Sequence, residues 1–247
     1  MLRRPHPRRM FAPGFWLGLV CWASTGAAWA SIGTVTHVSG VLHVSKPSGG
    51  TKLLAPESMV DEGDVLTSET KSFARIRFHD GGNLLIRPNS TVAIEKYRFD
   101  KAKPESDEVS MNLLKGGMRT ITGVVGKRSA DKHTTITATA TVGIRGTHFG
   151  LQLCVDDCQG LNDIGGQPLD NGLHIDLISG QIIAANPAGK LLINSGEFAF
   201  VRDTLSPPVL IPRPQGFLSG IPPSMTAPTG EGSTVGQDSN DNICRIQ

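Results

Sequence analysis

The sequence has no tryptophan after Trp29, one tyrosine (Tyr97), and, beyond its first thirty residues, no ten-residue segment with apolar side chains at a helical period. The missing period leaves an all-β chain. The shortage of aromatic rings argues against a carbohydrate- or peptidoglycan-binding surface, which needs exposed aromatic platforms. There is no nucleophile elbow, no His-rich zinc motif and no phosphate loop, so the sequence signals neither an enzyme nor a cofactor. The main apolar run, Phe15 to Ala23, falls well short of the roughly 20 residues that cross a bilayer.

That run has a context. Arg3, Arg4, Arg8 and Arg9 precede it with no acidic residue, and Ala28-Trp29-Ala30 follows it. This is the layout of a secretory signal peptide over residues 1–30, with cleavage expected after Ala30. Arg8-Arg9-Met10-Phe11 loosely resembles a twin-arginine signal, although an arginine pair is common in ordinary export signals. Cys21 follows Val20 where a lipid-modified cysteine would follow a small residue. Cleavage removes 30 of 247 residues and leaves 217, and by taking four Arg and no acid it turns the net charge from +2 to −2. No electrostatic footprint for nucleic acid remains. The expected location is periplasmic or secreted, with no stable membrane span once the signal is gone.

Three cysteines remain. In an oxidising compartment Cys154 and Cys158 are natural disulfide partners across Val155-Asp156-Asp157. Metal and redox pairs usually have two intervening residues, and this pair has three. Cys244 is left odd in a C-terminal segment, 206–247, that is rich in Pro, Gly and Ser. Few large apolar side chains occur there, so it is expected to stay outside the core as a disordered tail.

Between these ends the pattern is strand after strand. Phe73 to Phe78 alternates, with Ala74, Ile76 and Phe78 on one face. Asp80-Gly81 then turns the chain into Asn83 to Arg87, with glycine supplying the positive φ of a hairpin turn. Further strands are expected over Thr91 to Tyr97, Val109 to Leu114, Thr134 to Thr141 and His148 to Leu153. Val38-Ser39-Gly40-Val41-Leu42, Leu114-Lys115-Gly116-Gly117-Met118 and Ile178-Ser179-Gly180-Gln181-Ile182 share one pattern. The first and third copies continue through a proline turn (Pro47, Pro187), a glycine (Gly49, Gly189) and Lys-Leu-Leu. A unit used twice suits a single elongated β-rich domain, either a short β-helix or a sandwich of stacked hairpins.

In order along the chain, a strand pair around Gly40 is followed by Asp61-Glu62-Gly63-Asp64-Val65-Leu66-Thr67, Ala74 to Phe78 with Asp80-Gly81, and Ile86-Arg87-Pro88-Asn89-Ser90. Leu114-Lys115-Gly116-Gly117 and Gly143-Ile144-Arg145-Gly146-Thr147-His148-Phe149 complete the set. The series resembles the FecR domain family over residues 31–153, with 154–205 as a β extension that carries the cysteine pair. The resemblance implies a periplasmic domain that receives a protein signal, in a family connected with iron uptake. Regulators of this family carry a membrane helix where this chain has a signal peptide, so signalling is expected to end outside the cytoplasm. The expected function is non-enzymatic protein recognition in envelope signalling or organisation, with an unnamed envelope protein as partner. A cell-wall or carbohydrate-binding protein is the alternative, and a metal-dependent enzyme built on His37 and His43 is a second. Arg145 sets five donors beside exposed backbone. Gly143, Arg145, Gly146 and Thr147 therefore either pin the fold, with Arg145 forked onto carbonyls or a carboxylate, or bind a partner.

Overall fold

Alternation of β-branched and small residues produces strands throughout the chain, and glycines decide where those strands go. The computed structural model describes residues 31–128, 131–158, 160–214 and 216–217. The expected signal peptide with Cys21, the segment from 218 and Cys244 lie outside the described residues. The strands are β1 Gly33–Ser39, β2 Leu42–Ser45, β3 Thr51–Leu54, β4 Met59–Val60, β5 Val65–Ser68, β6 Phe73–Phe78, β7 Asn83–Ile86 and β8 Thr91–Arg98. They continue with β9 Glu108–Ile121, β10 His133–Ile136, β11 Thr141–Cys154, β12 Gly172–Asn186, β13 Gly189–Asn194, β14 Phe198–Val201 and β15 Val209–Leu210. A 3-10 turn at Pro104–Ser106 and a five-residue helix α1, Val124–Arg128, are the helical elements among the described residues.

All fifteen strands join in one open hydrogen-bonded sheet, which folds over on itself because its three longest strands change partners midway. The first part of β9 pairs with β8 and β10, and from Gly116 onward it pairs with β7 and β11. Strand β11 pairs with β10 up to Gly143 and with the C-terminal half of β12 up to Arg145. From His148 it pairs with β9 and the N-terminal half of β12. Two rows result. One runs β3-β2-β5-β8-β9-β10-β11-β12-β13 and the other β4-β1-β6-β7-β9-β11-β12-β14-β15. One continuous cluster of buried side chains draws on both, from Leu42, Leu66, Ile94, Met111, Ile144 and Ile182 to Ile76, Ile86, Met118, Phe149, Leu151 and Ile175. The rows therefore face each other across one core. Each such large side chain stabilises the fold by about 1.5–3 kcal/mol relative to exposure.

The crossings between rows are glycines in the left-handed region: Gly40 (φ 89°), Gly116 (74°), Gly146 (59°) and Gly180 (91°). At each, a nearby hydroxyl accepts the N–H of the glycine or of the residue after it. Val41 N donates to Ser72 Oγ (2.9 Å), Gly117 N to Ser90 Oγ (2.8 Å), Thr147 N to Thr122 Oγ1 (2.8 Å) and Gly180 N to Ser195 Oγ (2.9 Å). The repeated sequence pattern is thus the signature of a crossing. Its first and third copies lead into the β2–β3 and β12–β13 hairpins, which close the two ends of the first row.

Two sequence expectations change. Thr134 to Thr141 is not one strand, because Thr137 Oγ1 accepts the N–H of Ala140 (3.1 Å) and turns the chain between β10 and β11. The segment from Ser206 is not wholly outside the core: β15 pairs with β14, Ile211 N donates to Phe198 O (3.0 Å), and Phe217 packs edge-on against Phe198 with ring centroids 4.7 Å apart.

Asp80, expected only as a hairpin-turn residue, is buried and ties several elements together. Its backbone N–H donates to Tyr97 Oη (2.9 Å), whose hydroxyl proton goes to Asp80 Oδ1 (2.9 Å). Gly82 N donates to Asp80 Oδ1 (3.0 Å), and Val124 N, at the start of α1, to Asp80 O (2.9 Å). His133 lies in the same cluster, 3% exposed, with neither ring nitrogen hydrogen-bonded. Burial pulls its pKa down to about 4, with Asp80 only partly opposing.

Two measurements check this description. An alanine Cβ at Gly180 would run into the Gly146 carbonyl oxygen, whereas one at Gly81 meets nothing within 4 Å. Both positions carry positive φ, which costs an L-residue about 1–2 kcal/mol. Gly180→Ala is therefore expected to lose about 3 kcal/mol or more in urea unfolding, and Gly81→Ala about 1 kcal/mol. His133 stays neutral in the fold while the unfolded chain takes up a proton below about pH 6.5. Stability at His133 is therefore present above that pH, is lost as pH falls toward 4, and changes by up to about 3 kcal/mol. Burial shifts His148 and His174 in the same direction. His133→Gln is expected to flatten the unfolding free energy between pH 6.5 and 4; an unchanged slope would show that His133 does not carry it.

Candidate functional site: a groove at the end of the first row

The crossing at Gly146 divides Gly143-Ile144-Arg145-Gly146-Thr147 into two jobs. Gly146 and Thr147 are structural. The Gly146 carbonyl lies where any side chain at Gly180 would have to go, and Thr147, 3% exposed, donates its N–H to the Thr122 hydroxyl and accepts the Thr122 N–H at its carbonyl. Gly143 and Arg145 precede the crossing and face outward. Ile144, between them, points into the core. Arg145 is exposed and makes no hydrogen bond or ion pair among the described residues. Among the described residues it forks onto no carbonyl and no carboxylate.

Across the pleat, Gly143 lies opposite Ile183, and Ile183 opposite Leu192. Arg145 pairs with Gln181, while Ala185 pairs with Thr141 and Lys190. The result is a groove of about 540 Å³ on the outer face of β11, β12 and β13, with Asp131 also lining it. Gly143 forms its floor. The atom nearest to an added Cβ there is the Ile183 carbonyl oxygen at 3.8 Å, so the missing side chain leaves space without relieving a clash. Ile183 and Leu192 remain 49% and 50% exposed, and Ile136 and Leu114 continue the apolar surface onto β10 and β9. Apolar side chains of this size paired on an outer face are what sheets bury against a neighbour. The groove also borders an edge, because β13 pairs only with β12 among the described residues.

The other sequence candidates lie elsewhere. Asp80 belongs to the buried network around Tyr97, and Gly81 is the exposed turn residue beside it. Cys154 and Cys158 form a disulfide with Cα atoms 5.4 Å apart, and with Leu161, Leu169 and Phe217 they make a small apolar cluster apart from the main core. His43 Nε2 lies 2.7 Å from Glu69 Oε1, and His37 pairs with Arg75 on β6. The two histidines thus belong to different rows, and no group of three metal-ligating side chains occurs among the described residues. No helix among them is long and apolar enough to cross a membrane. Sequence reading missed the contribution of β13 to the groove. Its one available signal was the second Lys-Leu-Leu, Lys190-Leu191-Leu192.

No curated protein matches the chain. Two crystal structures described as an anti-sigma factor of Parabacteroides distasonis ATCC 8503 are similar in part. One has 13% identity and a TM-score of 0.46, covering 62% of each chain. The other has 12% identity and a TM-score of 0.44, covering 63% of this chain and 65% of that one. The chain thus spans less than two thirds of either. The family described as FecR protein matches residues 64–160, which run from the residue before β5 through β11 and past the cysteine pair. The chain carries a FecR domain, and both Gly143 and Arg145 fall within it.

Proposed function

We propose that this protein is an exported, non-catalytic recognition module that binds a protein partner in the cell envelope as part of signalling. The observation that carries the reading is the groove itself, where Arg145, without an ion pair among the described residues, and the exposed pair Ile183–Leu192 stand beside a strand edge. An extended segment laid along β13 would gain main-chain hydrogen bonds from the edge and side-chain contacts from the groove. The FecR domain supports a regulatory role, and the basic and apolar layout of residues 1–30 supports export. Carbohydrate recognition is the weaker reading, because no aromatic side chain lines the groove.

The test is cross-linking and capture from an envelope fraction, repeated with variants. Gly143→Phe fills the floor, Leu192→Glu charges the apolar wall, and Arg145→Ala removes the free cation. Each is expected to weaken the captured protein's binding about 10- to 100-fold while moving Tm by no more than about 4 °C. Met59→Glu, at a site 61% exposed on β4 in the other row, is the control and should change neither. Recovery of glycan fragments without protein would sink the proposal, as would a partner retained by all three groove variants.

A further inference from the structure

On the outer face of the second row, one buried cation makes no ion pair among the described residues. Arg87 follows β7 and is 8% exposed; its Nη1 is buried without a hydrogen-bond partner, and its side chain makes no ion pair among the described residues. An isolated buried charge is among the costliest arrangements in a folded protein. Burial, with the like charge of Arg119 adding to it, pulls the Arg87 pKa down to about 10.

Arg87 is nonetheless firmly placed. Its N–H donates to Gly117 O (3.0 Å), and its own carbonyl accepts the Ser68 hydroxyl. The side chain runs over Gly117, where an added Cβ would sit 3.1 Å from Arg87 Cδ and would also strike the Gln152 side-chain oxygen. Glycine at 117 thus makes room for both polar side chains. They border a cleft of about 210 Å³, open to solvent, whose far wall is Cys158, Gly160 and Leu161 of the disulfide loop. Gln152 Nε2 lies 3.5 Å from Cys158 Sγ, joining the wall to the base.

We propose that this cleft binds a carboxylate, with Arg87 as its cationic anchor and Gln152 beside it. A rigid guanidinium presents donors in the geometry that carboxylates match. Asp157 also lines the cleft, and its charge disfavours a dianion such as phosphate more than a monoanion. The site is separate from the β11–β13 groove, so either assignment can fail alone.

The probe is sodium acetate at fixed ionic strength, read on the Arg87 Nε–Hε resonance of the arginine-labelled protein. A saturable shift is expected. Arg87→Gln should weaken acetate binding, followed by thermal shift, at least about tenfold and leave the circular dichroism spectrum unchanged. Asp157→Asn should tighten it. Two further arms identify the carboxylate's source: a short peptide with a free C-terminus and its amidated twin. Tighter binding of the free-ended peptide than of acetate assigns the site to a polypeptide end, and equal binding assigns it to small acids. Acetate stabilising Arg87→Gln as strongly as the parent would overturn the proposal. So would phosphate binding more tightly than acetate, or a non-saturable shift.

Discussion

The left-handed glycine crossing is the constraint on which the fold depends. A β-strand can feed two rows only if its pleat is interrupted without ending it, and φ values near 60–90° at Gly116, Gly146 and Gly180 achieve this inside single strands. Any Cβ at Gly180 would meet the Gly146 carbonyl, and one at Gly116 would meet the Ser90 hydroxyl and lie 2.6 Å from Asn89 O. The Gly146 and Gly180 crossings pack against each other, so no side chain fits at Gly180. The hydroxyls of Ser72, Ser90, Thr122 and Ser195 accept the N–H groups that leave the ladder at each crossing. Without this pairing, buried amides would be left unsatisfied at the seam between the rows.

The crossings also explain which parts of the fold could be read from sequence. Strand β6 and its turn were legible because their period of two and Asp80-Gly81 are local signals. The long strands were not, because a glycine with a broken period reads as a strand end. Residues 148–153 were thus visible as a strand, but not their continuity with 141–145. The repeat around Gly40, Gly116 and Gly180 was visible before its meaning was. It marks crossings, and not stacked hairpins as such. Strand β15 escaped because composition averages over a window, and Val209 and Leu210 stand among four prolines. Asp80 read as a turn because its partner Tyr97 lies 17 residues away.

The two outer faces of the folded sheet differ in kind. The first row keeps Leu114, Ile136, Ile183 and Leu192 exposed. The second carries the charged side chains of Arg119 and Asp176 at matching positions, alternating with Leu85 and Gly150 across β7, β9, β11 and β12. That face is covered. The disulfide loop lies against Gln152, and the segment after Ser206 reaches over it to place Arg213 2.6 Å from Asp176 and Phe217 against Phe198. Covering a polar face requires each charge to find a partner. Asp176 has Arg213, and Arg119 donates to His148 (2.7 Å).

Arg87 breaks that rule, as Arg145 breaks a different one on the other face. A selection for stability alone would replace a buried unpaired guanidinium with methionine or leucine, and would shield an exposed Ile183–Leu192 pair with charge. Neither replacement is present, although Gly117 and Gly143 show that the chain makes room around both features. Local costs of this kind, set on a framework whose other buried charged residues have partners, are expected where a binding surface has been kept at the expense of the free protein. The folded sheet therefore has two places where the isolated fold is incomplete, one apolar with a strand edge and one cationic. They lie on opposite outer faces, so a partner engaging one leaves the other open.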